Sequence, residues 1–166
     1  MRVFGFAGFS GSGKTTLIEQ LIPIFRGKGL AVSLIKHAHH EFDVDQPGKD
    51  SYRHRHAGCS EVLVTSSLRW ALMHELRGAP ELTLAAAMAR LSPCDLVLVE
   101  GFKDAPIPKL EVYRAGLRKP LLHPHDTHIV AVATDSPLET SLPVLYLTDI
   151  VGISAFVLEA SRGFVG

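Results

Sequence analysis

Residues 8–15, Gly-Phe-Ser-Gly-Ser-Gly-Lys-Thr, fit the pattern G-x-x-x-x-G-K-[ST] at every fixed position. No other stretch limits the fold as strongly, because such a loop works only between a strand and a helix. Both flanks agree. "RVFGFAG" reads as a short buried strand with Val3, Phe4 and Phe6 apolar. "TTLIEQLIPIFRGKG" reads as an amphipathic helix, with Leu17, Leu21 and Phe25 on one face beside Ile18 and Ile22. Pro23 removes a hydrogen bond to Glu19, which predicts a kink, and Gly27 and Gly29 end the helix.

The residue types explain the loop's chemistry. Gly8, Gly11 and Gly13 let the backbone curl so that successive N–H groups converge on an anion. The helix that starts near Lys14 adds the partial positive charge of its N-terminus. Lys14 is placed to reach β- and γ-phosphates, the Thr15 hydroxyl to help hold Mg²⁺, and Thr16 to contact an α-phosphate. Ser10 and Ser12 complete the cradle. The rival dinucleotide fingerprint fails because "GSGKTT" has no third glycine at the required offset.

The rest of the chain alternates strand and helix. "LAVSLIK" is a second strand, reached from the first by a right-handed parallel crossover. Asp50 caps a short helix ending near Gly58. "EVLVTSS" and "RWALMHEL" read as two strands joined by a tight turn near Ser66–Ser67. Pro80 precedes an alanine-rich helix, "ELTLAAAMARL", whose first turn carries Glu81. "DLVLVEGF" is a continuous apolar strand suited to a parallel sheet buried on both faces, whereas "PKLEVYR" alternates and suits a peripheral strand. "HIVAVATD" and "PVLYLT" are further strands, and Thr148 or Asp149 caps a closing helix, "DIVGISAFVLEASR". The sum is an α/β domain layered around a mostly parallel sheet, with 1–166 as a single domain.

Composition excludes several classes. Lys+Arg and Asp+Glu each total 17 in 166 residues, so no broad charge attracts nucleic acid or an anionic membrane. No apolar run is long enough to span a bilayer, and the N-terminal stretch enters the glycine loop without a cleavage site. Cys59 and Cys94 lack metal or redox spacing and read as buried small residues in a reducing, cytoplasmic compartment.

A nucleotide site with Mg²⁺ calls for a carboxylate at the C-terminal end of a neighbouring parallel strand. Glu100 ends "DLVLVE" on the glycine loop's edge, where open α/β sheets bind ligands, while Asp95 begins that strand at the far edge. Glu100 is therefore the metal-side carboxylate, acting through water or by orienting a nucleophile. His37, His39, His40, His54 and His56 lack the cysteine spacing of structural zinc and read as a polar loop. Within it Asp45, Lys49 and Asp50 are candidates to sense phosphate or Mg²⁺. His123, His125 and His128 in "HPHDTH" read as a solvated connection.

The combination "GFSGSGKTTL", "LIKHAHHEFDVDQPGKDSYRHRHAG", "LVLVEGFK", "IPKLEVYR" and "AVATD" resembles the molybdopterin-guanine dinucleotide biosynthesis adapter family (MobB) from near residue 2 to about residue 135. The resemblance implies a P-loop NTPase-like three-layer α/β fold, with a mostly parallel central sheet and some antiparallel edge strands. It implies a cytoplasmic, homodimeric GTP-binding protein, at most a slow GTPase, that assists the guanylyltransferase joining GMP to molybdopterin and works with other molybdenum cofactor proteins. Carried onto this chain, it places the triphosphate on Gly11, Gly13, Lys14, Thr15 and Thr16, in the loop that also holds Gly8, Ser10 and Ser12. Mg²⁺ falls to Thr15, Asp45, Asp50 and Glu100, and catalysis to Glu100 and Asp50. Cys59 stands where a plain small residue such as Ala is expected.

Base choice is less constrained, because the sequence lacks NKxD. Thr134 and Asp135 follow a buried strand, where Asp135 can accept hydrogen bonds from guanine N1–H and N2–H₂; Asp135 also reads as a turn initiator before Ser136-Pro137. An alternative function is a small-molecule kinase with Arg53, Arg55 and His56 as its lid. Dimerisation has two candidate edges, "PKLEVYR" and "RWALMHEL", the second carrying Trp70, Leu72 and Met73.

Overall fold

The computed structural model describes residues 1–38 and 42–164. The reading of His39 and His40 as loop residues lies outside them. The elements begin with β1 (Arg2–Ala7), α1 (Lys14–Gly27), β2 (Val32–Lys36), α2 (Asp50–His56), β3 (Glu61–Thr65) and β4 (Trp70–His74). They continue with α3 (Leu84–Met88), β5 (Leu96–Glu100), β6 (Lys109–Tyr113), β7 (Ile129–Thr134), β8 (Val144–Tyr146), α4 (Ile150–Ala160) and β9 (Arg162–Gly163). The chain divides into two compact units, Met1–His37 with Leu84–Gly166, and Ala38–Thr83.

The first unit is built on a seven-stranded sheet in the order β2-β5-β1-β6-β7-β8. Every pair along that order is parallel. The short β9 runs antiparallel to the start of β1. Side-chain alternation sorts the strands' residues between two cores. Phe4, Phe6, Leu98, Leu110 and Ala133 face α1 and α4, meeting Leu17, Leu21, Phe25, Ile153 and Val157. Val3, Val97 and Val99, joined by Ile107 from the loop before β6, face α3, meeting Leu84 and Met88. Helices thus cover both faces, giving three layers, and each fully buried Leu or Phe stabilises the fold by about 1.5–3 kcal/mol. Asp149 caps α4, its carboxylate accepting from the Gly152 N–H at 2.9 Å. Among the described residues no helix is long and apolar enough to cross a membrane.

Several expectations need correction. "PKLEVYR" is not peripheral: β6 lies between β1 and β7, and Lys109 and Glu111 are each 1% exposed. Their polar alternation marks buried charges with dedicated partners. The Lys109 ammonium donates to the Lys103 carbonyl and to Asp126 Oδ2, the latter at 2.7 Å. The Glu111 carboxylate accepts from the backbone N–H groups of Leu122 at 2.7 Å and His123 at 2.9 Å. The alanine-rich helix is confined to Leu84–Met88, so Glu81 precedes it instead of standing in its first turn. Both cysteines are free, but Cys59 is exposed and Cys94 half-buried.

The second unit holds α2 and the β3–β4 hairpin, an antiparallel sheet of its own with Leu63 opposite Leu72 and Thr65 opposite Trp70. Lys49 is the N-cap of α2, with Asp50 in the first turn. Arg55 organises the unit, donating to Glu75 Oε1 at 2.7 Å and to both Asp43 oxygens at 2.8 and 2.7 Å. Its Nε also lies 3.6 Å from Asp45 Oδ2.

The Lys109–Asp126 pair makes a stability prediction. Burial pushes the Asp126 carboxyl up, but the Lys109 ammonium and the His128 N–H outweigh it and hold the pKa below the ordinary carboxylate value. A depressed carboxylate contributes stability above its unfolded pKa of about 4, and that contribution is lost as pH falls through the folded value. Asp126→Asn leaves the Lys109 ammonium buried without its counter-ion. The expected cost is about 3 kcal/mol by urea unfolding near neutral pH, with a shallower acid loss than the parent protein. A cost below about 1 kcal/mol would show that Lys109 is held without Asp126.

Candidate glycine-loop site

The loop leaves the C-terminal end of β1 and closes into α1 through positions that only glycine fills without strain. Gly8 has φ of 145°, and a Cβ there would lie 2.6 Å from the Val112 carbonyl oxygen and 2.8 Å from Ser12 Oγ. Gly13, the N-cap of α1, is left-handed at φ 96°. A Cβ on it would press on the Arg114 guanidinium at 3.3 Å. The first turn of α1 carries no acidic residue and receives no side-chain cap. Its N–H groups and dipole are thus available to an external anion.

The side chains suit the same ligand. Lys14 Nζ donates back to the carbonyls of Gly8 at 2.8 Å and Phe9 at 3.0 Å. Burial lowers the Lys14 pKa, with Glu100 opposing and Lys103 and Lys36 adding to the decrease. A partly desolvated ammonium of this kind gains from a polyanion. Ser10 and Thr16 are exposed, and the buried Ser12 hydroxyl has no hydrogen-bond partner among the described residues.

Parallel pairing brings Glu100 to this edge. Glu100 stands opposite Phe6 of β1 and Lys36 of β2. Its Oε1 accepts from the Thr15 hydroxyl at 3.0 Å, and Oε2 lies 3.7 Å from Lys36 Nζ. A hydroxyl and a carboxylate form a hard, all-oxygen donor pair that fits Mg²⁺ bound jointly with phosphates. Asp95, at the opposite strand end, accepts from the Ala31 N–H at 2.8 Å.

Asp45 and Asp50 belong to the second unit. Asp45 Oδ1 accepts from the Ser51 hydroxyl at 2.8 Å, while the Asp50 side chain is 89% exposed. Thr134 is fully buried at the end of β7, and its hydroxyl oxygen accepts from the Ser136 N–H at 3.3 Å. That turn therefore takes this hydrogen bond from Thr134, and the Asp135 carboxylate points elsewhere, accepting from Arg114 at 3.0 Å.

Arg114 is the residue missed from sequence. It follows β6, and its Nε donates to the Ser12 carbonyl at 3.0 Å. Reading β6 as peripheral hid it; placing that strand next to β1 would have put the residue after it at the loop.

Comparison with known proteins agrees with this architecture. A family model described as "Molybdopterin guanine dinucleotide synthesis protein B" matches residues 3–135. The chain is 44% identical over 160 residues to the molybdopterin-guanine dinucleotide biosynthesis adapter protein of Escherichia coli (strain K12), covering 95% of this chain and 91% of that one. It is 44% identical over 164 residues to the protein of the same name in Haemophilus influenzae, covering 99% and 92%. Among solved structures, it is similar to a crystal structure of molybdopterin-guanine biosynthesis protein B (mobB), with a TM-score of 0.76 and 27% identity over 95% of this chain and 98% of that one.

Lys14→Ala removes the ammonium but leaves the backbone cradle. Inorganic triphosphate binding, followed by calorimetry, is expected to weaken about 30-fold, the loss of one charge-assisted contact. An unchanged affinity would place the anion elsewhere.

Proposed function

The chain belongs to the molybdopterin guanine dinucleotide synthesis protein B family, and from that premise we propose a GTP-binding adapter that assists the guanylyltransferase of molybdopterin guanine dinucleotide biosynthesis. A part in that biosynthesis follows from membership of the family. The observation that carries the nucleotide reading is the convergence of the glycine loop, the Thr15–Glu100 pair and Asp135 at one edge of the sheet. The protein is proposed to be cytoplasmic and to work with other molybdenum cofactor proteins.

In this reading Lys14 exchanges the Gly8 and Phe9 carbonyls for β- and γ-phosphate oxygens, and the loop N–H groups take the remaining phosphate contacts. Mg²⁺, when bound, would supply charge neutralisation to the phosphates. Thr15 would hold it directly and Glu100 would orient a water. Asp135 accepts from guanine N1–H and N2–H₂, a donor pair that adenine lacks. Slow hydrolysis suits the site, because Glu100 is shared by Thr15 and Lys36 and Arg114 is committed to Ser12 and Asp135. Asp45 and Asp50 remain proposed metal-side acids, and Asp50 a proposed catalytic one. A kinase lid would have to do without Arg55, which is held by Asp43, Asp45 and Glu75 within its own unit.

Homodimer formation is proposed through the hairpin, because β6 is interior and offers no edge. Leu63 is 61% exposed, Leu72 50% and Trp70 66%, and cross-strand register puts all three on one face. Trp70→Asp is expected to convert the dimer to monomer by sedimentation; an unchanged dimer would move the interface elsewhere.

Asp135→Asn tests the base contact. An asparagine amide accepts from xanthine N1–H and donates to its 2-oxo group. GTP affinity is therefore expected to fall about 100-fold while XTP affinity rises, both read by calorimetry. An unaltered preference would remove Asp135 from base recognition.

A further inference from the structure

Arg114 sits between the two halves of the proposed site. Its strand, β6, lies between β1, which feeds the glycine loop, and β7, which ends just before Asp135. Arg114 Nε donates to the Ser12 carbonyl at 3.0 Å, and its NH1 donates to Asp135 Oδ2 at 3.0 Å. Its NH2 lies 3.3 Å from where a Cβ on Gly13 would stand. One planar, rigid group therefore spans the loop backbone and the carboxylate, using separate N–H directions for each.

We propose that Arg114 is a positioning residue for base selection, holding the Asp135 carboxylate at a set distance and angle from the phosphate loop. The inference rests on the reading that Asp135 takes guanine. The Asp135 side chain is 38% exposed, so without an anchor its rotamers would compete for solvent. The hydrogen bond from Arg114 uses one lone pair of Oδ2. Since an ionised carboxylate offers about four such sites, both oxygens can still accept from guanine. The bridge fixes the carboxylate before the base arrives, which lowers the ordering cost of recognition. On the loop side, the hydrogen bond from Nε to the Ser12 carbonyl fixes the guanidinium itself, and through it the Asp135 carboxylate.

A merely stabilising ion pair predicts something different. Exposed pairs add little to stability, and any electrostatic help to phosphate binding would be indifferent to the base. Arg114→Ala removes both charge and bridge. Arg114→Lys keeps the charge, but a single ammonium lacks the planar fork that holds two acceptors in fixed directions.

The test measures GTP, ATP and inorganic triphosphate affinities by calorimetry for the parent protein, both Arg114 variants, Asp135→Asn and the Arg114→Ala/Asp135→Asn double variant. Thermal midpoints are recorded alongside and are expected to stay within about 3 °C. Both Arg114 variants are expected to lose GTP affinity about tenfold, as contacting residues do when uncoupled, while ATP and triphosphate stay within about twofold. In the Asp135→Asn background, Arg114→Ala is expected to cost no further GTP affinity. Equal losses for all three ligands would make Arg114 a phosphate contact and overturn the inference, as would an intact GTP preference or full additivity with Asp135→Asn. If Asp135→Asn abolishes the preference and the Arg114 variants keep it, the positioning role alone fails. If the parent protein has no GTP preference, or Asp135→Asn leaves one unchanged, the reading of Asp135 fails and the inference with it.

Discussion

The site depends on one constraint, the parallel register that sets Phe6 of β1 opposite Glu100 of β5. Because side chains alternate along a strand, a slip of one residue would turn Glu100 to the other face and bury its carboxylate among apolar side chains. The register is fixed by apolar residues on both faces: Leu96 and Leu98 fit the core under α1 and α4, while Val97 and Val99 fit the core beside α3. With the strand so held, Glu100 arrives within hydrogen-bond reach of Thr15, 85 residues away in sequence. The left-handed Gly101, at φ 97°, then turns the chain off the strand, where a Cβ would lie 2.7 Å from that of His37.

The same edge gathers the other groups of the proposed site. Parallel strands all present their C-terminal ends there, so the glycine loop after β1, Arg114 after β6 and Asp135 after β7 come together although widely spaced in the chain. The buried charges of β6 support that convergence. Glu111 ties down the N–H groups of Leu122 and His123, and Lys109 ties down Asp126, so the connection between β6 and β7 is anchored to the sheet by two interior side chains. Both anchors lie in β6, the strand that Arg114 follows.

What was legible in the sequence follows from locality. The loop, its flanking strand and helix, the apolar run ending at Glu100 and the hairpin from Glu61 to His74 are each written in adjacent residues. What was hidden depends on partners far along the chain. Lys109 and Glu111 looked like the solvent face of an edge strand, because nothing near them announces Asp126 or the N–H groups at 122 and 123 as their partners. That error concealed Arg114 in turn, since an arginine ending a peripheral strand has no reason to meet the loop. The short α3 has a different cause: an alanine-rich stretch supports helix by propensity, yet only Leu84 and Met88 find buried positions, and the helix extends no further than those anchors.

The central claim is that this edge holds guanine nucleotide with Mg²⁺. Calorimetric titration of the unmodified protein with GTP and with ATP, in Mg²⁺ and again after chelation, addresses it most directly. The account predicts one GTP per chain, binding at least about tenfold tighter than ATP and weakened by chelation. Absence of GTP binding, or affinities indifferent to both base and Mg²⁺, would contradict it.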